Sequence, residues 1–127
     1  MKAMLSRWFA APERNQPAWI EIAELRAFLA AGKPYLLVDV RQPEEYASPP
    51  GHLPDAVNIP LPGIAAQADA LAAAQRPVVL VCKTDRRSAQ AAAVLLSAGL
   101  TDVAVLRGGT DGWHRQGLAL ALTAPET

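Results

Sequence analysis

A single cysteine, Cys82, stands among 127 residues, and that scarcity excludes an internal disulfide framework. It fits a reducing compartment, so the expected location is the cytoplasm. Only two histidines occur, His52 and His114, dispersed along the chain. No zinc-type ligand set can be assembled from them, and no metal or other cofactor is expected. An excess of charge of either sign is missing as well. Twelve basic residues balance twelve acidic ones, leaving no overall field that would recruit nucleic acid or an anionic membrane. The apolar patch at Met4-Leu5 and Trp8-Phe9 is broken by Ser6 and Arg7. It falls short of the roughly 7–15 apolar residues of a secretory signal. No run approaches the ~18 apolar residues of a membrane span. The expectation is a soluble protein with residues 1–17 as an N-terminal arm, 18–122 as one domain and 123–127 as a loose tail.

What is present is apolar and punctuated. Hydrophobic residues make up 51% of the chain, enough for one core. Trp19-Ile20-Glu21-Ile22 reads as a short strand. Ile22, Leu25, Phe28 and Leu29 recur at helical spacing in a segment closed by Gly32. Tyr35 to Val40 is a buried strand, and Arg41 to Ala47 a charged turn or short helix with Pro43 in its first turn. Ser48-Pro49-Pro50-Gly51 is a loop. Ala56 to Ile59 is a third strand, followed by an alanine-rich helical stretch over 63–75 with Ile64, Ala68 and Leu71 on one side. Val103 to Leu106 is a late strand, and a short helix holding Trp113 comes last. Strands alternating with helices argue an α/β fold, a central and mostly parallel sheet with helices on both faces. Ligands of such sheets bind outside the carboxyl ends of the strands.

One such end carries the cysteine. Val78-Val79-Leu80-Val81 is a continuous apolar run, as an inner parallel strand requires, and it delivers Cys82 to a polar, basic loop. From Ser88 the chain reads as a helix ending at Gly99. A strand–loop–helix junction aims backbone N–H groups and a positive helix end at one point. A thiol set there has its thiolate form favoured and an anion cradle around it. Asp39 and Arg41, at another strand end, read mainly as a structural ion pair that could support the site. His52 reads as a loop residue bonded to backbone, His114 as exposed, and Trp113 as core filler. Gly108-Gly109 reads as a tight turn that only glycine accommodates.

The chain resembles the rhodanese (sulfurtransferase) family in its small single-domain form. The likeness runs over about residues 19 to 120 and rests on four motifs in order: Leu37-Val38-Asp39-Val40-Arg41 with Pro43-Glu44-Glu45-Tyr46; Gly51-His52-Leu53-Pro54-Asp55-Ala56-Val57-Asn58-Ile59-Pro60; Cys82 to Ser88; and Leu106-Arg107-Gly108-Gly109 with Trp113. The resemblance implies a three-layer rhodanese-like fold. It also implies a catalytic Cys82 that takes a sulfane sulfur from a donor such as thiosulfate and passes it, as a persulfide, to cyanide or a thiol. Lys83, Thr84, Asp85, Arg86, Arg87 and Ser88 then form the substrate-binding loop. A relay that hands sulfur to a partner protein with little thiosulfate turnover is the alternative. Phosphatases and arsenate reductases of this fold have five residues between cysteine and arginine. Only four, Lys83 to Arg86, separate Cys82 from Arg87, which resembles the sulfur-transferring branch.

Three positions depart from the family pattern. Asp85 and Asp55 stand where glycine is usual, and both are expected in left-handed turns. Ser48-Pro49-Pro50 adds about two residues between Tyr46 and Gly51, as surface loops tolerate. The Asp85 carboxylate is expected to repel anionic donors at the mouth of the site.

Overall fold

A computed structural model describes residues 16–122. The expected arm over 1–17 and tail over 123–127 therefore lie almost wholly outside the described residues. Five strands form one sheet: β1 (Ala18–Ile20), β2 (Leu36–Asp39), β3 (Val57–Asn58), β4 (Val78–Val81) and β5 (Val103–Leu106). Their order is β1-β5-β4-β2-β3 and every pairing is parallel. The helices are α1 (Ile22–Ala30), α2 (Pro43–Ala47), α3 (Ala68–Ala73), α4 (Arg86–Ser97) and α5 (Gly109–Arg115).

Strand periodicity splits the core in two. Side chains alternate across a strand, so Val79, Val81, Ala104 and Leu106 face one side with Ile22 and Leu25 of α1 and Trp113 of α5. Val78, Leu80, Val103 and Val105 face the other, against Ala68 and Leu71 of α3 and Ala91, Ala92 and Leu95 of α4. This is the expected three-layer arrangement. Each fully buried Val or Leu contributes roughly 1.5–3 kcal/mol. The alanines on α4 let that helix lie close on the sheet, and both Ala91 and Ala92 are completely buried.

Local chemistry moved several boundaries. The first strand stops at Ile20 because Glu21 caps α1, its carboxylate and that of Glu24 forming a reciprocal capping box. The stretch expected as one helix over 63–75 is two 3₁₀ turns, Leu61–Gly63 and Ala65–Gln67, before α3. Gly63 opens that stretch with a weak helix former, and the turns close on tighter bonds, Gly63 to the Pro60 carbonyl and Gln67 to the Ile64 carbonyl. Ile64, Ala68 and Leu71 are nevertheless buried together. Helix α4 begins at Arg86, two residues before the expected start. Asp55 has φ +69, the left-handed turn its position implied.

All five strands end at one edge of the sheet. From β2 the chain proceeds to β3 on one side, and from β4 to β5 on the other. The gap between the ends of β2 and β4 is therefore the topological switch point, where open parallel sheets bind ligands. A return segment closes this end: His52 and Ala121 exchange backbone hydrogen bonds of 2.9 and 2.7 Å. Gly51 has φ +110, and a Cβ there would overlap the carbonyl oxygen of Ala121. Gly51→Ala is expected to lower stability by about 2–3 kcal/mol. Denaturant midpoints measure this, and a loss under about 0.5 kcal/mol would show that the bridge is dispensable.

Candidate functional site

Cys82 follows β4 at the switch point, with its side chain on the α4 face. It is 1% exposed, and its sulfur is held by one residue. The Ser88 amide donates to Sγ at 3.4 Å, and the Ser88 hydroxyl lies 3.3 Å away. Ser88 occupies the third position of α4, so this amide is one of the four that a helix N-terminus leaves unpaired. Sγ thus sits on the positive end of a twelve-residue helix.

The loop carbonyls are tied to the other helical layer. Thr110 and Asp111, in the first turn of α5, donate their amides to the carbonyls of Cys82 and Lys83, both at 2.9 Å. A trans peptide sets C=O and N–H antiparallel, so these bonds turn the Lys83 and Thr84 amides away from α5. Gly109 makes the contact possible. It has φ +57, and a Cβ there would overlap the carbonyl oxygens of Cys82, Lys83 and Thr84. The tight turn read from Gly108-Gly109 thus has a second purpose, the close approach of α5 to the loop.

Asp85 corrects an expectation. It has φ −152 and ψ 9, so the loop closes without the left-handed conformation expected there. It is the N-cap of α4, yet its carboxylate caps nothing in that helix. The carboxylate instead accepts the Gly108 amide at 3.3 Å. The amides at the start of α4 are left to the sulfur and its neighbours.

The basic residues of the loop are less free than their sequence implied. Arg87 forms a two-point pair with Glu45 at 2.7 and 3.1 Å. Lys83 pairs with Asp111 at 2.9 Å, and both side chains are well exposed. Arg86 is exposed and makes no ion pair among the described residues. Thr84 is exposed, and Ser88 is fully buried. Arg107 turns from the site, bonding Glu21 at 2.8 Å and lying 4.6 Å over the Trp19 ring. A cleft of about 380 Å³ opens beside the loop, lined by Arg41, Glu44, Pro50, Lys83, Thr110 and Asp111 among others.

Glu45 was not singled out in the sequence as part of the site. Its signal was the pattern Gln42-x-x-Glu45, a capping box, and Glu45 does accept the Gln42 amide at 2.9 Å. The Arg87 hydrogen bonds hold its carboxyl at a pKa of about 2, well below the ordinary 4.5, against a smaller opposing effect of burial. Arg87 is in turn raised, first by the Glu45 bond. The pair joins α2, which follows β2, to α4, which follows β4, and so spans the switch point. Asp111 was also missed, because its partner Lys83 is 28 residues away in sequence.

Asp39 and Arg41 form the buried pair that their position suggested. The Arg41 Nη2 to Asp39 Oδ2 distance is 2.8 Å, with side chains 6% and 0% exposed. Arg41 also donates to the Gly51 carbonyl at 3.0 Å, and Asn58 donates to the carbonyls of Asp39 and Arg41, each at 3.0 Å. These bonds lock the first two motifs together at the rim. His52 Nδ1 lies 2.9 Å from the Tyr46 carbonyl and its ring stacks on Tyr46. His114 is exposed, and Trp113 is core, as read.

A parallel sheet that delivers one thiol, at its switch point, to a tight loop and a helix N-terminus defines a class of α/β domains built around a cysteine. Within that class the chain belongs to the rhodanese-like domain family, whose model matches residues 21–116. A protein of Allochromatium vinosum named sulfurtransferase is 38% identical over 107 residues, covering 84% of this chain and 95% of its own length. The thiosulfate sulfurtransferase GlpE of Pseudomonas syringae is 38% identical over 82 residues, 62% of this chain and 72% of that protein. The human single-domain sulfurtransferase TSTD1 superposes with a TM-score of 0.65 at 29% identity, covering 77% of this chain and 96% of that one. Family and relatives make this a sulfurtransferase-type domain.

Two consequences follow from the ion pairs. Arg41→Ala leaves the Asp39 carboxylate buried and alone, and is expected to cost about 3–5 kcal/mol in unfolding free energy. A cost below about 1 kcal/mol would mean that water replaces the guanidinium. For Glu45 the folded state depresses the carboxyl pKa, so its stabilisation is complete above the ordinary 4.5 and is lost as pH falls toward about 2. The pair is one-third exposed and therefore screened, which limits the contribution to about 1 kcal/mol. Glu45→Gln should show that deficit at pH 7, with the gap to the unsubstituted protein narrowing below pH 4.5. A gap independent of pH would assign the effect to packing.

Proposed function

We propose that this protein is a sulfurtransferase that carries a sulfane sulfur on Cys82 as a persulfide. The observation that supports this most directly is the Ser88 amide aimed at Sγ from the N-terminus of α4. With thiosulfate, the Cys82 thiolate attacks the outer sulfur, a sulfur–sulfur bond forms at Sγ, and the donor bond breaks to release sulfite with its electron pair. The added sulfur is anionic. It extends into the loop, where the Lys83 and Thr84 amides, turned from α5, and the start of α4 lie ready to receive it. Thr84 to Arg87 supply the remaining wall of that cradle. Cyanide or a thiolate then attacks the outer sulfur and Cys82 leaves as thiolate, a two-step covalent cycle with ping-pong kinetics. Asp39 and Arg41 support the rim and take no part in the chemistry.

No metal or cofactor is required, since both half-reactions are nucleophilic displacements at sulfur. A small-molecule donor and an acceptor thiol or cyanide are sufficient partners. A second reading, a relay to a sulfur-accepting protein, draws support from the pairing of Lys83 and Arg87 with carboxylates, which leaves little free positive charge for thiosulfate. No role with nucleic acid or a membrane is proposed. No helix among the described residues is long and apolar enough to cross a bilayer.

Intact-mass spectrometry of reduced protein tests the proposal. Incubation with thiosulfate or an alkyl persulfide should add one sulfur atom that cyanide removes, and Cys82→Ser should abolish the gain. No gain with either donor while Cys82 can still be alkylated would overturn it.

A further inference from the structure

We infer that Asp85 is a specificity-determining residue that sets this site against dianionic sulfur donors. Its preferred donors are then sulfane carriers of low charge, of the alkyl persulfide class. The inference rests on the Cys82 persulfide reading above and adds the donor class to it.

The charges around the loop carry the argument. Lys83, Arg86 and Arg87 are its three cations. Asp111 and Glu45 already neutralise two of them, at 2.9 and 2.7 Å. Only Arg86 is left outside an ion pair among the described residues. Asp85, immediately beside it, brings the six residues to neutrality. Asp85 is not free to swing clear, because the Gly108 amide holds its carboxylate at the loop. Nor does its carboxylate cap α4, the ordinary structural purpose of an aspartate at this position. Its charge therefore stays on the loop that carries the sulfur, where an incoming donor meets it.

The two donor classes meet that charge differently. Attack on thiosulfate brings a dianion to a thiolate, so three negative charges gather at Sγ before sulfite departs with two of them. An alkyl hydropersulfide, R–S–SH, brings at most one. The Cys82 thiolate attacks its terminal sulfur, the donor's sulfur–sulfur bond breaks, and R–S⁻ leaves while the proton stays on the transferred sulfur. A fixed like charge beside the site penalises the first reaction far more than the second, and rejection of the wrong substrate is as much a part of specificity as attraction of the right one.

Asp85→Asn keeps an oxygen for the Gly108 amide and removes the charge. Kinetics are read with thiosulfate and with 2-hydroxyethyl hydropersulfide as donors and cyanide as the common acceptor. The ratio of the two kcat/KM values should shift toward thiosulfate by about tenfold. Asp85→Glu restores the charge and should leave the ratio near that of the unsubstituted protein. If both efficiencies fall together in Asp85→Asn, the residue is structural and the inference is wrong. An unchanged ratio, or a shift away from thiosulfate, overturns it equally. Absence of a cyanide-removable sulfur on Cys82 from either donor is a separate result, which removes the sulfurtransferase reading itself.

Discussion

The site depends on one constraint, the antiparallel setting of N–H and C=O in each peptide of the cysteine loop. Two helical layers pull on that loop from opposite faces of the sheet. Helix α5 takes the carbonyls of Cys82 and Lys83, while α4 presents an amide to the sulfur. With the carbonyls engaged on one side, the amides must point elsewhere. The negative ends of these dipoles are thereby removed from the position an anionic sulfur would occupy. Gly109 permits the arrangement, since its missing side chain lets α5 reach the loop backbone.

Around this backbone device the charged residues mostly serve one another. The Asp39–Arg41 pair fastens β2 to Gly51, and the Glu45–Arg87 pair fastens the helix after β2 to the helix after β4. The second tie crosses the switch point, beyond the last ladder bond between the two strands, from the Val40 amide to the Val81 carbonyl. The consequence for chemistry is a loop with many basic residues and little free positive charge. In the proposed function, sulfur binding then falls to oriented amides, whose partial charges cost no counterion and do not titrate.

Much of this was legible from residue order. The inner strand Val78–Val81, the position of Cys82 at its end and the alternation of strands with helices follow from apolar runs and turn residues. Those are local properties, and Asp55 in a left-handed turn follows from local backbone chemistry as well. The helix expected over 63–75 is shortened to Ala68–Ala73 for an equally local reason, the weak helix former Gly63 at its start and the 3₁₀ turns that follow. The pairs Glu45–Arg87 and Lys83–Asp111 were invisible for the opposite reason. They join residues 42 and 28 positions apart, and a single sequence carries no record of such meetings.

The sequence by itself determined that this is an α/β sheet protein with one thiol at a strand end, ahead of a short basic loop and a helix. Periodicity and turn chemistry suffice for that, because each acts over a few residues. Only the tertiary structure decided which of those basic residues are neutralised, where the Asp85 carboxylate goes, and that a second helix holds the loop carbonyls away from the sulfur. These are long-range electrostatic and packing outcomes. They exist only once strands distant in sequence have been brought to one edge of the sheet.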